Sequence, residues 1–220
     1  MYYKKSSSLI ILIPARNELK NFKNFFLRLK KKYKILVIDD GSTDKTSQWL
    51  KANRIEHLVN KENIGYEKSL IKGIKFIINN KRANKILTMD ADGQHKISNI
   101  NKFLALEKKF KTDLLIGERK YKNRIIENVL SKFFFKKYLI KDPISGFKLY
   151  KTDKLKKINI SKCSNLFLVD LLIKFINRRY KIKFFQTITK KRKDNPRVGN
   201  FIKVNIKILK ILIYVFLQKN

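Results

Sequence analysis

Carboxylates are scarce in this 220-residue chain, with 17 Asp and Glu against 53 Lys and Arg, and five of them gather in two short segments. Asp39, Asp40 and Asp44 follow the apolar run Ile35 to Ile38, while Asp90 and Asp92 follow Ile86 to Met89. Two carboxylates two residues apart, in a turn through Gly93, can offer oxygens to one hard divalent cation. Mg²⁺ and Mn²⁺ prefer such ligands and commonly share them with phosphates. A lone Asp-Gly pair is also simply a good turn. Acids repeated on consecutive strand ends point further, because open α/β sheets bind ligands outside the carboxyl ends of their strands.

The elements that must position these acids are legible as strand-length apolar runs alternating with longer stretches of helical period. Leu9 to Ile13 reads as a strand stopped by Pro14, and Glu18 to Lys31 as a helix with Leu19, Phe22, Phe26 and Leu29 on one face. After the strand Ile35 to Ile38, Thr43 or Asp44 can cap a helix carrying Trp49 and Leu50. Ile55 to Val59, Ile86 to Met89 and Leu114 to Ile116 read as strands, separated by helices over Tyr66 to Asn79 and Ile97 to Phe110. The second half reads as a helix from Arg124 to Ile140, a strand from Gly146 to Tyr150, a helix from Leu166 to Ile176, a strand from Ile182 to Ile188 and a last helix from Phe201 to Leu217. This alternation predicts a single α/β domain over residues 1–200, a mostly parallel sheet flanked by helices, with an amphipathic helix over 201–220.

Composition bounds what such a domain can meet. The formal net charge is +36, yet 44% of residues are hydrophobic and 12% aromatic, enough for a packed core. A surplus of that size attracts polyanions, whether nucleic acid, anionic lipid or phosphorylated substrate. Abundant Lys, Ile, Asn and Phe also follow from an AT-rich genome. The single Cys163 excludes a disulfide framework and, with only His57 and His95 beside it, a Cys/His zinc cluster. No apolar run is long enough to span a bilayer and no signal peptide is read, so the chain is expected on the cytoplasmic side.

Five segments stand in order: Ile13-Pro14-Ala15-Arg16-Asn17-Glu18, Val37-Ile38-Asp39-Asp40-Gly41-Ser42-Thr43-Asp44, Asn63-Ile64-Gly65, Met89-Asp90-Ala91-Asp92-Gly93-Gln94-His95 and Asp142-Pro143-Ile144-Ser145-Gly146-Phe147. Together they resemble family 2 glycosyltransferases of the Rossmann-like GT-A fold, most closely the branch of dolichol-phosphate mannosyltransferase and bacterial polyprenyl-phosphate glycosyltransferases. The resemblance implies that Pro14, Arg16 and Glu18 hold the nucleotide of a GDP- or UDP-hexose, with Arg16 standing where an aromatic is usual. It implies that Asp39 and Asp40 accept hydrogen bonds from base and ribose, and that Asp90, Ala91 and Asp92 lie at the diphosphate. Asp90, Asp92 and Gln94 become the ligands of Mg²⁺ or Mn²⁺, and Arg197, with Arg192 as a rival, the basic group of a closing loop. His95 reads instead as a solvated loop residue.

The acceptor side divides two readings. A sugar hydroxyl needs a general base, and only Asp142 or Asp170 offers itself. A lipid phosphate is already largely ionised at neutral pH and needs cations instead; the resemblance places Arg119, after Gly117-Glu118, and Arg124 there. Asp92, Arg119 and Asp142 are the expected catalytic residues. The leading reading is therefore hexose transfer to a polyprenyl phosphate. The alternative is a sugar hydroxyl in surface polysaccharide or lipopolysaccharide synthesis, and a third is a basic binding module on an inactive fold. No RNA-binding signature favours nucleic acid. Ser131 to Tyr138, with Phe133, Phe134 and Phe135 among lysines, and the last helix have the composition of helices lying in a lipid headgroup layer, or else of a core or oligomer face. Any flippase would be a separate chain.

Overall fold

Along β1 (Ser7–Ala15), successive side chains point to opposite sides, Ile10 and Leu12 to one core cluster and Leu9, Ile11 and Ile13 to another. All five are buried, because β1 lies inside a seven-stranded sheet with helices on both faces. The computed structural model describes residues 7–93, 95–119, 125–163, 166–187 and 201–217. After β1 come α1 (Leu19–Lys32), β2 (Lys34–Asp39), α2 (Thr46–Ala52), β3 (Glu56–Val59), α3 (Tyr66–Asn79), β4 (Ala83–Thr88), α4 (Ile97–Phe110) and β5 (Leu114–Arg119). The chain continues through α5 (Ile125–Tyr138), β6 (Lys148–Lys151), α6 (Thr152–Lys156), a 3-10 turn (Ile160–Lys162), α7 (Phe167–Asn177), β7 (Ile182–Thr187) and α8 (Phe201–Leu217).

The sheet order is β3-β2-β1-β4-β6-β5-β7, parallel throughout except for β6, which runs antiparallel to both neighbours. One face is covered by α1, α2 and α4 through Phe26, Leu29, Leu50, Ile100 and Phe103. The other is covered by α3, α5, α7 and α8, whose Leu70, Ile74, Leu130, Phe134, Leu171, Ile208 and Val215 share one cluster. Each such side chain contributes about 1.5–3 kcal/mol by leaving water, and the spacing of Leu70, Ile74 and Ile77 is that of one helical face.

Three local differences from the sequence reading have physical reasons. β1 runs through Pro14 to Ala15, not stopping at the proline. The Ala15 carbonyl accepts from Asp40 on the β2 side and the Leu12 carbonyl from Met89 on the β4 side, so by alternation Pro14 faces β4. Pairing with β4 ends at Leu12, and the missing N–H leaves no rung unmade. α2 begins at Thr46, with Asp44 Oδ1 accepting its amide at 2.9 Å, so Asp44 serves the first turn from one residue before the cap. In α5, Phe134 is core, Phe133 half-buried and Phe135 exposed, so the aromatic triplet does not form one outward face. α6 and the 3-10 turn were too short to read from periodicity.

Candidate functional site

Because β1, β2, β4 and β5 are parallel, the segments that follow them all emerge at one edge of the sheet. The antiparallel β6 starts at that same edge, Lys148 pairing with Thr88 and with Ile116, and so carries residues 142–147 to it. All five sequence motifs converge there.

A continuous run of contacts joins them. Asn17, at φ 54°, donates its amide to Ser42 Oγ at 2.9 Å and accepts from the Thr43 amide at 2.8 Å, linking the first loop to the second. Gly41, at φ 64°, packs so tightly on the third that a Cβ would stand 2.7 Å from the Glu62 carbonyl carbon. Asp40 Oδ1 accepts from Asn60 Nδ2 and the Ile64 amide, and Oδ2 from the Gly65 amide, each at 2.9 Å. The next residue, Tyr66, donates its hydroxyl to Asp90 Oδ1 at 2.8 Å. Against that pair lies Gly146, where a Cβ would come within 2.6 Å of both Asp90 Oδ1 and Tyr66 Oη. Only glycine permits this approach.

On the far side, Asp142 is 1% exposed and grips Arg119 at three points. Oδ2 accepts from the Arg119 amide at 3.1 Å and Nε at 2.8 Å, and Oδ1 from Nη2 at 3.0 Å. Glu127 Oε2 lies 3.4 Å from Nη2. Burial by itself would weaken the guanidinium's hold on its proton, but Asp142, Glu127 and Asp90 raise its pKa above the ordinary value, so Arg119 is permanently charged. Nη1 keeps no hydrogen-bond partner among the described residues. Ser145 Oγ donates to the Gly117 carbonyl at 2.6 Å and Thr88 Oγ1 to that of Gly146 at 2.7 Å, fixing the loop in place.

The structure sorts the expected site residues. Asp39, Asp40, Asp90, Ala91, Asp92, Arg119 and Asp142 come together at the carboxyl edge beside buried Pro14 and Glu18 and exposed Arg16. Asp40 differs from expectation in turning both oxygens to the protein. Asp39 is fully buried; its Oδ1 accepts from the Ser42 amide at 3.0 Å, and Oδ2 has no hydrogen-bond partner among the described residues. A buried acceptor left bare is costly. His95 is not a solvated loop residue: it is 4% exposed and stacks on Phe147 at 4.4 Å, with Phe103 edge-on to the same ring. Burial lowers its pKa, against the nearby charge of Asp90, and keeps the ring neutral at neutral pH. Asp170 lies elsewhere, bonded to Lys174 and Tyr214 beneath α8. Gln94, Arg124, Arg192 and Arg197 fall outside the described residues.

Sequence reasoning missed Asn17 and Tyr66, whose partners are distant in sequence; half-buried Tyr66 has a pKa raised well above the usual value by desolvation of its hydroxyl and then by Asp90. Among the described residues no three Asp, Glu, His or Cys side chains are grouped to hold a metal ion. Asp90 and Asp92 offer carboxylate oxygens two residues apart, a donor type that suits Mg²⁺ or Mn²⁺ when water and substrate phosphates supply the rest. A cavity of about 300 Å³ lined by Ser8, Tyr33, Lys34 and Lys85 lies at the opposite, amino edge of the strands and contains none of these residues.

Comparison with known proteins agrees with this geometry. An uncharacterized protein of Methanocaldococcus jannaschii is 33% identical over 168 residues, 67% of this chain and 73% of that one. A dolichol-phosphate mannosyltransferase of Pyrococcus furiosus is 27% identical over 192 residues, 74% of this chain but only 52% of its own length. Glucosyl-3-phosphoglycerate synthase of Mycobacterium tuberculosis, crystallised with Mn²⁺, UDP-glucose and phosphoglyceric acid, shares the fold with a TM-score of 0.74 at 13% identity, over 94% of this chain and 79% of that one. The model of glycosyl transferase family 2 matches residues 10–175, a span that takes in every loop of the carboxyl edge from Pro14 to Phe147, and the chain belongs to that family.

Proposed function

We propose that the protein transfers a hexose, with inversion, from a nucleoside-diphosphate sugar to a polyprenyl phosphate at the cytoplasmic face of a membrane. The observation that carries this reading is the unbroken series Asp40, Gly65, Tyr66, Asp90, Gly146, which draws both acidic loops and the acceptor-side loop to one edge within reach of Arg119. Asp39 Oδ2 would take a donor from the base or ribose, with Pro14, Arg16 and Glu18 in the adjoining loop. Asp92 and the Oδ2 of Asp90, with Gln94, would hold Mg²⁺ or Mn²⁺. When bound, that cation neutralises charge gathering on the departing nucleoside diphosphate.

Tyr66 fixes Asp90 through Oδ1, and Asp142 fixes Arg119. An acceptor phosphate on Arg119, with Arg124 beside it in that role, places an anionic oxygen for attack on the anomeric carbon, while Arg197 would reach the nucleotide phosphates. The new bond joins phosphate oxygen to that carbon as the bond to the nucleoside diphosphate breaks. No proton must be removed, which matches a site whose nearest carboxylate, Asp142, is already committed to an arginine.

Membrane contact is supported by the outer surfaces of α5 and α8. Both bury their inner sides in one cluster, and Lys137 Nζ donates to the Val215 carbonyl at 3.3 Å. Outward they expose Val129, Phe135, Leu139, Leu209, Ile213 and Phe216 beside Lys132, Lys136 and Lys210. No helix among the described residues is long and apolar enough to cross a bilayer, so the expected association is peripheral.

The test incubates purified protein and Mn²⁺ or Mg²⁺ with radiolabelled nucleotide sugars and undecaprenyl or dolichyl phosphate. Label entering the organic phase supports the reading. Transfer to an oligosaccharide with none to any lipid phosphate replaces it with the hydroxyl acceptor.

A further inference from the structure

β6 alternates sides like any strand. Phe147 and Leu149 enter one core cluster and Tyr150 the other, so Lys148 points with Tyr150 into the apolar layer beneath α3 and α7. Its side chain is fully buried. An ammonium in such a place is costly, and an apolar residue of similar volume would pack there without the cost.

The Lys148 ammonium has no carboxylate within ion-pair distance among the described residues. Nζ donates instead to the Pro143 carbonyl at 2.8 Å and the Leu168 carbonyl at 3.4 Å. Leu168 is held at its other backbone group as well, its amide donating to Glu67 Oε1 at 3.4 Å. Pro143 directly follows Asp142, the residue that grips Arg119. A path of direct bonds therefore runs from α3 through α7 to Lys148, and from Lys148 through the acceptor-side loop to the Arg119 guanidinium.

We propose that Lys148 is a positioning residue, pinning the Pro143 carbonyl to the first turn of α7 and thereby setting the aim of Arg119 toward an anionic acceptor. The inference rests on the proposed transfer to a phosphate acceptor. It explains why a lysine occupies a core position that apolar neighbours would fill: the two carbonyls it joins belong to segments that no backbone ladder connects.

The experiment compares wild type with Lys148→Met, which keeps length without charge, and Lys148→Arg, which keeps the donors. After folding is checked by thermal melting, donor and acceptor KM are measured separately. Lys148→Met is expected to raise acceptor KM by about tenfold while donor KM moves less than about twofold, and Lys148→Arg to restore most of the loss. A fall in kcat with both KM values unchanged overturns the proposal, as does a Lys148→Arg variant as impaired as Lys148→Met. Should Lys148→Met not fold, Lys148→Arg alone decides: acceptor KM within about threefold of wild type supports pinning, and a rise of about tenfold overturns it. Amide exchange separates this idea from the reaction itself, since it needs no substrate. Lys148→Met or Lys148→Arg is measured against wild type: in Lys148→Met, exchange at Ser145 and Phe147 is expected to quicken by about tenfold while the β1–β2 ladder stays protected. Unchanged exchange there overturns the pinning role, whereas wild-type protein that glycosylates no phosphate acceptor overturns the reaction.

Discussion

Asp40 and Asp92 are both acids of strand-end turns, and the proposed reaction asks opposite work of them. Asp40 spends its oxygens on Asn60, Ile64 and Gly65; each hydrogen bond to a charged group is worth about 1.5–3 kcal/mol. Asp40→Ala is therefore expected to cost about 3 kcal/mol or more in urea unfolding, because two loop amides lose their acceptor together. In the proposed reaction Asp92, half-exposed in its turn, holds the cation, and Asp92→Ala is expected to drop transfer to background in the radiolabel assay. Near-normal turnover by that variant would remove the cation from the proposed reaction. The types and spacing of these residues were enough to mark both as chemical. Their division of labour was not legible, because the amides that claim Asp40 lie 24 and 25 residues on and arrive only through the register of β3 against β2.

At the scale of elements, the parallel strands and most helices follow directly from period: α3 and α4 have the bounds their apolar spacing implies. The direction of β6 does not, since a four-residue strand carries no sign of its orientation. That direction delivers Asp142 and Gly146 to the site, and it also buries Lys148. Burial lowers the Lys148 ammonium to about 8, against the raising charges of Asp142 and Glu67 and together with the lowering charge of Arg119. The unfolded chain, with the ordinary value of 10.5, then binds more protons than the native one between about pH 8 and 10.5. This group's contribution to stability thus rises with pH across that window. Lys148→Met is expected to flatten that rise when urea unfolding is followed from pH 7.5 to 10.5. α8 offers a second test, because Tyr214 donates to Asp170 Oδ1 at 2.8 Å across from α7. Tyr214→Phe should cost about 1 kcal/mol and quicken amide exchange in α8 before any other helix.

For the whole molecule, the net charge of +36 has two sources to weigh, genome composition and the anionic partner of the proposed reaction, and vesicle binding separates them. Lys132, Lys136 and Lys210 stand near exposed apolar side chains on two adjoining helices, where a leaflet would meet both kinds of group. Each lysine near an anionic leaflet is worth about 1 kcal/mol. Replacing the three by alanine is expected to weaken binding to phosphatidylglycerol vesicles by on the order of a hundredfold in a sedimentation assay, with little change in the melting temperature. Binding that is equally strong to neutral vesicles, or indifferent to salt, would assign the charge to composition instead.

The crowding at Gly146 has a consequence for how sequences of this kind can drift. With 2.6 Å between an added methyl and both Asp90 Oδ1 and Tyr66 Oη, position 146 cannot gain a side chain unless residue 66 or 90 gives way. Gly146→Ala alone should displace the Asp90 carboxylate, whereas Gly146→Ala combined with Tyr66→Phe removes one of the two obstructing oxygens and should recover part of the loss. The three sites would then behave as one heritable unit, and a double-mutant cycle should find their effects far from additive.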